Sequence, residues 1–308
     1  MATYLVTGGC GFIGSELTTQ LIDRGHKVIV VDDLSNGHRL IPGATLIQQD
    51  ITEFGALQTL FLNVDGCFHL AAKPAVNMTM EQWFGFHRTN LEASLNVFKA
   101  AINAGNVPVV YASTCGVYSD TNQFPLSEDQ LLQPMSSYGC DKYAVELNAY
   151  FLAHTYQLPS FGLRLFNVYG PYQSPSSPYS GVITSFIMQV LKGEPLIIYG
   201  DGQQTRDFVF VGDVARNLIS AMDHLKKGAH VVNICSEATT TINELADMLF
   251  DIFGKKSQKN YQPKRPNDAL NSYGSQDKML AYGFKTAWSL RQGLEKTVDH
   301  LKSESVAL

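Results

Sequence analysis

Short apolar runs alternate along the chain with stretches in which an apolar residue recurs every third or fourth position. The runs Tyr4-Leu5-Val6, Lys27-Val28-Ile29-Val30-Val31, Gly66-Cys67-Phe68-His69-Leu70-Ala71-Ala72 and Val109-Val110-Tyr111-Ala112-Ser113-Thr114 read as strands. An amphipathic helix extends to about Arg24, and helical spacing returns over 90–104 and 138–156. Strands alternating with helices predict an α/β fold, a doubly wound parallel sheet of the Rossmann type. The division predicted is residues 1–165, with about 208–235 returning, as a dinucleotide-binding domain. Residues 166–207 and 236–308 then form a smaller C-terminal substrate-binding lobe. Pro171 to Gly181 is too rich in proline and serine for regular structure and is expected to lie over the substrate, and the polar stretch Lys255 to Lys264 is expected to be a loop.

Composition narrows the class. A length of 308 residues, 45% of them hydrophobic, suffices for a substantial core. The net charge of −5 argues against nucleic acid as a partner, which would call for a basic surface. No apolar run reaches membrane-spanning length, and Met1-Ala2-Thr3 leads straight into the first strand, so a cytoplasmic chain with no membrane partner is expected. Cysteines 10, 67, 115, 140 and 235 are scattered and form no Cys-x-x-Cys pair, which predicts thiols rather than disulfides or a metal site. The histidines lack ligand spacing, and His69 reads as a satisfied core group.

The candidate chemistry begins at Tyr138 and Lys142, one helical turn apart after serines suited to an N-cap. A tyrosine hydroxyl, with a pKa near ~10, acts as a base near neutral pH only if a positive charge stabilises its phenolate. At roughly 5 Å and an effective dielectric of ~20, one ammonium contributes about 3 kcal/mol, or roughly two pKa units. An isolated Tyr-x-x-x-Lys is often a chance pairing, and here the rest of the chain decides. Thr7-Gly8-Gly9-Cys10-Gly11-Phe12-Ile13-Gly14 stands between the first strand and helix. Gly9, Gly11 and Gly14 satisfy the dinucleotide fingerprint, and Gly8, Gly11 and Gly14 a wider-spaced version, in which glycines let backbone and helix N-terminus approach a pyrophosphate. Asp32 ends the second strand near the spacing expected of the acid that binds an adenosine ribose. It favours NAD over NADP, since the nearest following arginine is Arg39. Asp50 and Ile51 are candidates for the adenine, although an acid there is also ordinary turn chemistry. Ala71, among the small residues at the end of its strand, leaves room for the cofactor.

These motifs, with Arg164-Leu165-Phe166-Asn167-Val168-Tyr169-Gly170-Pro171, Tyr199-Gly200-Asp201-Gly202, Thr205-Arg206-Asp207-Phe208, Gly212-Asp213-Val214-Ala215 and Arg265-Pro266-Asn267-Asp268, closely resemble the extended short-chain dehydrogenase/reductases, in particular their nucleotide-sugar epimerase and dehydratase group. The resemblance covers nearly the whole chain. It implies Tyr138 as general base, Lys142 on the nicotinamide ribose, and Thr114, where serine is commoner, on the reacting hydroxyl. It also implies Asn90 beside the cofactor, steadying the catalytic strand. Asn167, Arg206, Arg265 and Asp268 would bind the nucleotide sugar, the arginines through its diphosphate. The 4,6-dehydratases of the group carry Asp-Glu after the threonine; Cys115 and Gly116 stand there, which disfavours that reaction. Cys115 reads as a small packing residue, with proton transfer as the alternative. Ser272, four residues after Asp268, matches a position that gates the sugar pocket, where a small residue admits an N-acetyl group; a one-residue shift would bring Tyr273 there instead.

The activity implied is NAD-dependent 4-epimerisation of a UDP-hexose through a transient 4-keto sugar. Alternatives are a UDP-glucuronate epimerase or decarboxylase, a 4-keto nucleotide-sugar reductase, and a non-catalytic NAD-binding protein. Leu91, Leu95 and Phe98 on one helix and Tyr143, Leu147 and Phe151 on another suit either the core or, as commonly in the family, a four-helix bundle that makes a homodimer.

Overall fold

The computed structural model describes all residues except 75–78, 119–120, 122, 176, 178–179, 256, 266–268 and 307–308, with the backbone alone for 304–306. In chain order the strands are β1 (Thr3–Thr7), β2 (Lys27–Asp32), β3 (Thr45–Gln48), β4 (Gly66–His69), β5 (Val109–Thr114), β6 (Ser160–Leu165), β7 (Asn167–Tyr169), β8 (Leu196–Tyr199), β9 (Thr205–Arg206), β10 (Phe208–Phe210), β11 (Ala229–Ile234), β12 (Thr240–Thr241) and β13 (Lys259–Gln262). The helices are α1 (Phe12–Asp23), α2 (Phe54–Leu60), α3 (Met80–His87), α4 (Ala93–Asn103), α5 (Ser137–Tyr156), α6 (Val182–Lys192), α7 (Val211–His224), α8 (Ile242–Phe253), α9 (Asp277–Ala281) and α10 (Leu290–Val306).

Seven strands form one parallel sheet in the order β11-β6-β5-β4-β1-β2-β3. Strand order reverses between β1 and β4, and the crevice at their carboxyl ends is where a doubly wound sheet binds its ligands. Leu17 and Leu21 of α1 and Val214 and Leu218 of α7 bury one face of the sheet, while Val97 and Phe98 of α4 and Val145 and Ala149 of α5 bury the other. A separate core joins α6, α8 and α10 through Phe186, Leu245 and Leu294. Met279 and Phe284, which the division drawn above assigns to the lobe, pack into the α1–α7 face of the sheet. Among the described residues no helix is long and apolar enough to cross a membrane.

Two local expectations change. The polar stretch 255–264 contains β13, which pairs in parallel with β8. Asn260 and Tyr261 of this strand remain exposed, so backbone pairing to an available edge, not apolar burial, makes it a strand. The helix expected over 90–104 opens with a π turn, Arg88–Glu92, before α4 begins at Ala93.

One buried ion pair fixes α5 on the sheet. Arg164 of β6 donates Nε to Glu146 Oε1 at 3.0 Å and Nη2 to Oε2 at 2.7 Å, and both residues are buried. Ser113 of β5 donates to the same carboxylate, and Arg164 Nη1 donates to Tyr118 at 2.9 Å. Tyr118 in turn donates to Asn233 of β11 at 2.7 Å. Glu146→Ala strands the guanidinium without its partner and is expected to destabilise the fold by about 3–5 kcal/mol. Chemical denaturation measures this, and a loss below about 1 kcal/mol would show the pair to be dispensable.

Candidate active site

The glycine turn forms one wall of a cleft above β1 and β4. Gly8 has φ +72, and a Cβ on it would stand 2.6 Å from the Ala71 amide nitrogen, so a side chain there is excluded twice. A Cβ on Gly14 would collide with the Gly8 carbonyl oxygen. Gly11 precedes α1 and supplies no side-chain cap, leaving the first amides of that helix to a ligand. Gly8, Gly11, Asp32, Asp50, Ile51 and Ala71 line the cleft together. The Asp32 carboxylate accepts amides from Cys10 and Leu34, each at 2.9 Å, and keeps further lone pairs. Asp50 caps its own turn by accepting from Thr52, and Ile51 is buried. Arg39 is engaged elsewhere: it donates to Ser15 at 3.3 Å and its guanidinium lies 3.4 Å above the Tyr172 ring. Glycine backbone, a helix N-terminus and a carboxylate at the end of β2 suit the pyrophosphate and ribose of a dinucleotide without a 2′-phosphate.

The cleft continues into a pocket lined by Gly11, Phe12, Ile13, Gly14, Thr114, Tyr138 and Lys142, among others. Ser136 caps α5, its hydroxyl accepting the Gly139 amide at 3.1 Å. A Cβ on Gly139 would strike the Gly116 carbonyl, so glycine allows the first turn of α5 to lie directly on the residues following β5. Tyr138, next to Gly139, lines the same pocket as Thr114. The Thr114 hydroxyl accepts the Gly116 amide at 3.1 Å, which leaves its own hydrogen to donate. Lys142 is buried, and its Nζ lies 5.8 Å from the Tyr138 ring centroid.

The electrostatics correct the simple pairing argument. Burial pushes the Tyr138 hydroxyl well above its ordinary pKa, and the Cys115 thiolate, where formed, would raise it further. Tyr138 is half-buried. Burial also brings Lys142 down to about 8, against the opposing pull of Asp141. Desolvation thus outweighs the attraction that was expected to lower the tyrosine, and each group leans toward its neutral form.

Asn90 is bonded to the loop that follows β4. Within the π turn it is buried, its Oδ1 accepting the Lys73 amide at 2.8 Å and its Nδ2 donating to the Lys73 carbonyl at 3.2 Å. It therefore steadies the loop after β4.

Across the pocket, Asn167, Arg206 and Arg265 line a cavity of about 500 Å³ between β7, β8 and α6. Asn167 donates to the Asp207 carbonyl at 3.1 Å, and Arg206 to the carbonyls of Thr205 at 2.7 Å and Ala269 at 3.0 Å. Arg265 lies 3.8 Å over the Tyr199 ring. Asp268 falls outside the described residues. Ser272 lies beside Cys115, whereas the neighbouring Tyr273 stacks on Phe124 at 5.0 Å. Cys115 is half-buried, and burial, reinforced by Asp207, pushes its thiol up to about 11. All five cysteines are free, and among the described residues no cluster of three or more His, Cys, Asp or Glu could hold a metal.

Residues 4–235 match the NAD dependent epimerase/dehydratase family. The chain belongs to that family. It is 37% identical over 265 residues to the UDP-N-acetyl-alpha-D-glucosaminuronate decarboxylase of Bacillus cytotoxicus, covering 82% of this chain and 81% of that one. The structure superposes on the UDP-glucose 4-epimerase of Thermotoga maritima, solved with UDP-glucose, with TM-score 0.94, 35% identity and coverage of 98% and 99% of the two chains. It matches equally well, at 0.94 with 32% identity and the same coverage, the UDP-N-acetylglucosamine 4-epimerase of Methanobrevibacter ruminantium in complex with UDP-N-acetylmuramic acid.

Several residues of this epimerase/dehydratase site carry no separate sequence signal. Asp207 is wholly buried and accepts four hydrogen bonds: from the Ser236 amide at 2.7 Å, the Ser236 hydroxyl at 2.6 Å, the Glu237 amide at 3.0 Å and the Gly274 amide at 3.3 Å. This knot holds Arg206 and Ser272 on adjoining segments. Beneath the cofactor cleft, Thr7 donates to His69 Nδ1 at 2.7 Å, His69 Nε2 donates to Ser94 at 2.8 Å, and Ser94 donates to the Asn90 carbonyl at 2.6 Å. His69 is thus a satisfied core histidine, and burial, with Lys142 nearby, pushes it down to about 3. Its unfolded form takes a proton near pH ~6.5 while the folded form resists, so its contribution is intact above that value and is lost as pH falls toward about 3. At pH 4.5 the loss attributable to His69 is expected to be about 2.7 kcal/mol, two pH units at about 1.36 kcal/mol each. Denaturant titrations at pH 7 and 4.5, in wild type and His69→Gln, read this. An identical acid loss in both proteins would refute it.

Proposed function

We propose that this protein is a UDP-hexose 4-epimerase that retains NAD. The observation carrying this reading is that Tyr138, Lys142 and Thr114 line one pocket continuous with the glycine turn. Gly8, Gly11, Phe12, Ile13, Gly14, Asp32, Asp50, Ile51 and Ala71 would hold the dinucleotide, with Asn90 supporting that wall from behind. When bound, NAD supplies a reversible acceptor for the hydrogen on the sugar C4. Tyr138 removes the C4 hydroxyl proton, Thr114 donates to the same oxygen, and the Lys142 ammonium favours the phenolate while binding the nicotinamide ribose. Arg206 and Arg265 hold the diphosphate and Asn167 the adjoining sugar, with Asp268 on the nucleoside ribose. The 4-keto sugar turns over in the pocket, its C4 takes the hydride back on the opposite face, and Tyr138 returns the proton to the C4 oxygen. In this reading residues 1–165 with 208–235 bind NAD, and 166–207 with 236–308 bind the UDP-sugar.

A small Ser272 beside Cys115, with the neighbouring Tyr273 stacked on Phe124, supports a pocket that admits UDP-N-acetylglucosamine and UDP-N-acetylgalactosamine beside UDP-glucose and UDP-galactose. The identity to a uronate decarboxylase favours a second reading, a UDP-glucuronate epimerase or decarboxylase. Against it, Lys142 is the only cation among the described residues that line the reaction centre, and the reading assigns that lysine to the cofactor. Tyr138→Phe is expected to lower kcat at least a hundredfold, and Ser272→Tyr to cut kcat/KM for UDP-N-acetylglucosamine more than about tenfold while sparing UDP-glucose. Near-normal turnover by the first variant would sink the mechanism, and parallel losses on both sugars by the second would sink the gate.

A homodimer is part of the proposal. Phe98 is core, whereas Leu147, Tyr150 and Phe151 leave an apolar stripe on α5, with Phe151 51% and Tyr150 71% exposed. Paired copies of α4 and α5 would cover it. Light scattering on the eluting protein is expected to give twice the chain mass, and a monomer at micromolar concentration would contradict the pairing.

A further inference from the structure

The segment that follows β2 is seated on the glycine turn. A Cβ on Gly37 would stand 2.5 Å from both the Cys10 carbonyl oxygen and the Gly11 Cα, so glycine is what lets the two backbones touch. Two residues on, the Arg39 amide donates to the same Cys10 carbonyl at 3.3 Å, and the Arg39 guanidinium donates to Ser15 of α1 at 3.3 Å. Asp33, Ser35, Asn36 and Gly37 of this segment line the cofactor cleft. Tyr172, which follows β7, meets the segment from the side of the α6–α8–α10 core. Its φ of +67 is a left-handed conformation unfavourable for a tyrosine, and the residue is 42% exposed, so neither backbone preference nor burial accounts for its place. Its contacts do. The Arg39 guanidinium lies 3.4 Å from the centre of its ring, the His300 ring of α10 is centred 4.1 Å away, and the adjoining Gln173 accepts from Thr184 of α6 at 2.7 Å. We infer that Arg39 and Tyr172 are positioning residues forming a clasp, which holds the segment after β2 on the glycine turn and so slows the departure of NAD.

The contact stands where it can act on the cofactor. A cavity of about 360 Å³ lies between the two segments, lined by Gly11, Phe12, Asn36, Arg39 and Tyr172 among others. Gly11 and Phe12 open α1, the end that takes the pyrophosphate in the reading above. Moving the segment after β2 away from the glycine turn parts Arg39 from Tyr172, whose own root is tied to α6 through Gln173. A guanidinium over an aromatic ring is held by the ring quadrupole, and at a part-exposed site the attraction is modest. A modest attraction is enough, because the contact has only to break before the rim can move; it need not stabilise the fold. An epimerase regenerates its cofactor within each turnover, so slow exit of NAD does not limit its rate.

The inference rests on the reading of a protein that retains NAD, and its test separates the two. The full-length holoenzyme is desalted and the loss of bound NAD followed by nucleotide absorbance in wild type, Arg39→Met, Tyr172→Ala, Tyr172→Phe and a variant carrying both Arg39→Met and Tyr172→Ala. Arg39→Met and Tyr172→Ala are each expected to release NAD about tenfold faster, and the double variant no faster than either, since both remove one contact. Tyr172→Phe keeps a ring for the guanidinium and is expected to release at the wild-type rate. Melting temperatures of the NAD-free proteins are expected to coincide, which a merely structural role would not give. Release at the wild-type rate in either single variant, or accelerations that multiply in the double variant, would overturn the clasp and leave retention of NAD standing. So would a Tyr172→Phe protein that releases as fast as Tyr172→Ala. A wild type that loses NAD as fast as the variants would overturn both. Should Arg39→Met not fold, the comparison of Tyr172→Ala with Tyr172→Phe decides alone.

Discussion

The Glu146–Arg164 pair is the constraint on which the site depends. Tyr138 and Lys142 lie on a helix, Thr114 on a strand, and the glycine turn on another strand two positions away in the sheet. A helix packed by apolar contacts alone can slide or rotate on a sheet at modest cost, because dispersion and hydrophobic burial have little directionality. A two-point guanidinium–carboxylate contact tolerates no such slip. Glu146 lies one turn beyond Lys142, and its carboxylate is shared with Ser113, the neighbour of Thr114. The same pair therefore helps set where Tyr138 and Thr114 stand in the pocket they share. Burying it need not add net stability, since desolvation offsets much of the attraction; its contribution here is position.

The second constraint is burial itself. Desolvation moves Tyr138 and Lys142 toward their neutral forms, a phenol and an amine. An ammonium at Lys142 favours a phenolate at Tyr138, since opposite charges at short range stabilise each other. The pair is flanked by a carboxylate one residue before the lysine and a thiol near the tyrosine, and the first acts to restore charge while the second acts against it. Reactivity is then set by several modest terms, not by one strong one.

Much of this was legible in the sequence, for physical reasons that can be named. Strands buried on both faces are apolar throughout, a turn packed against a neighbouring strand has to be glycine, and side chains that share one helix face stand one turn apart. Each requirement falls on neighbouring residues, as in Gly8 to Gly14 or Tyr138 to Lys142. Interactions that span the chain left no such trace. Asp207 binds Ser236 and Gly274, and His87 meets Asp141, at separations no local pattern encodes. The π turn that buries Asn90 depends on packing between helices, and β13 became a strand because β8 offered it an edge. The pKa argument for Tyr138 weighed the charge of Lys142 but left out desolvation, which only the packed structure reveals.

The measurement that bears most directly on the central claim is a proton NMR time course of the purified protein, without added cofactor, on UDP-glucose and UDP-N-acetylglucosamine separately. The account predicts that each sugar is converted to a mixture with its C4 epimer, using NAD that stayed with the protein. No conversion of either sugar, even after NAD is supplied, would contradict it.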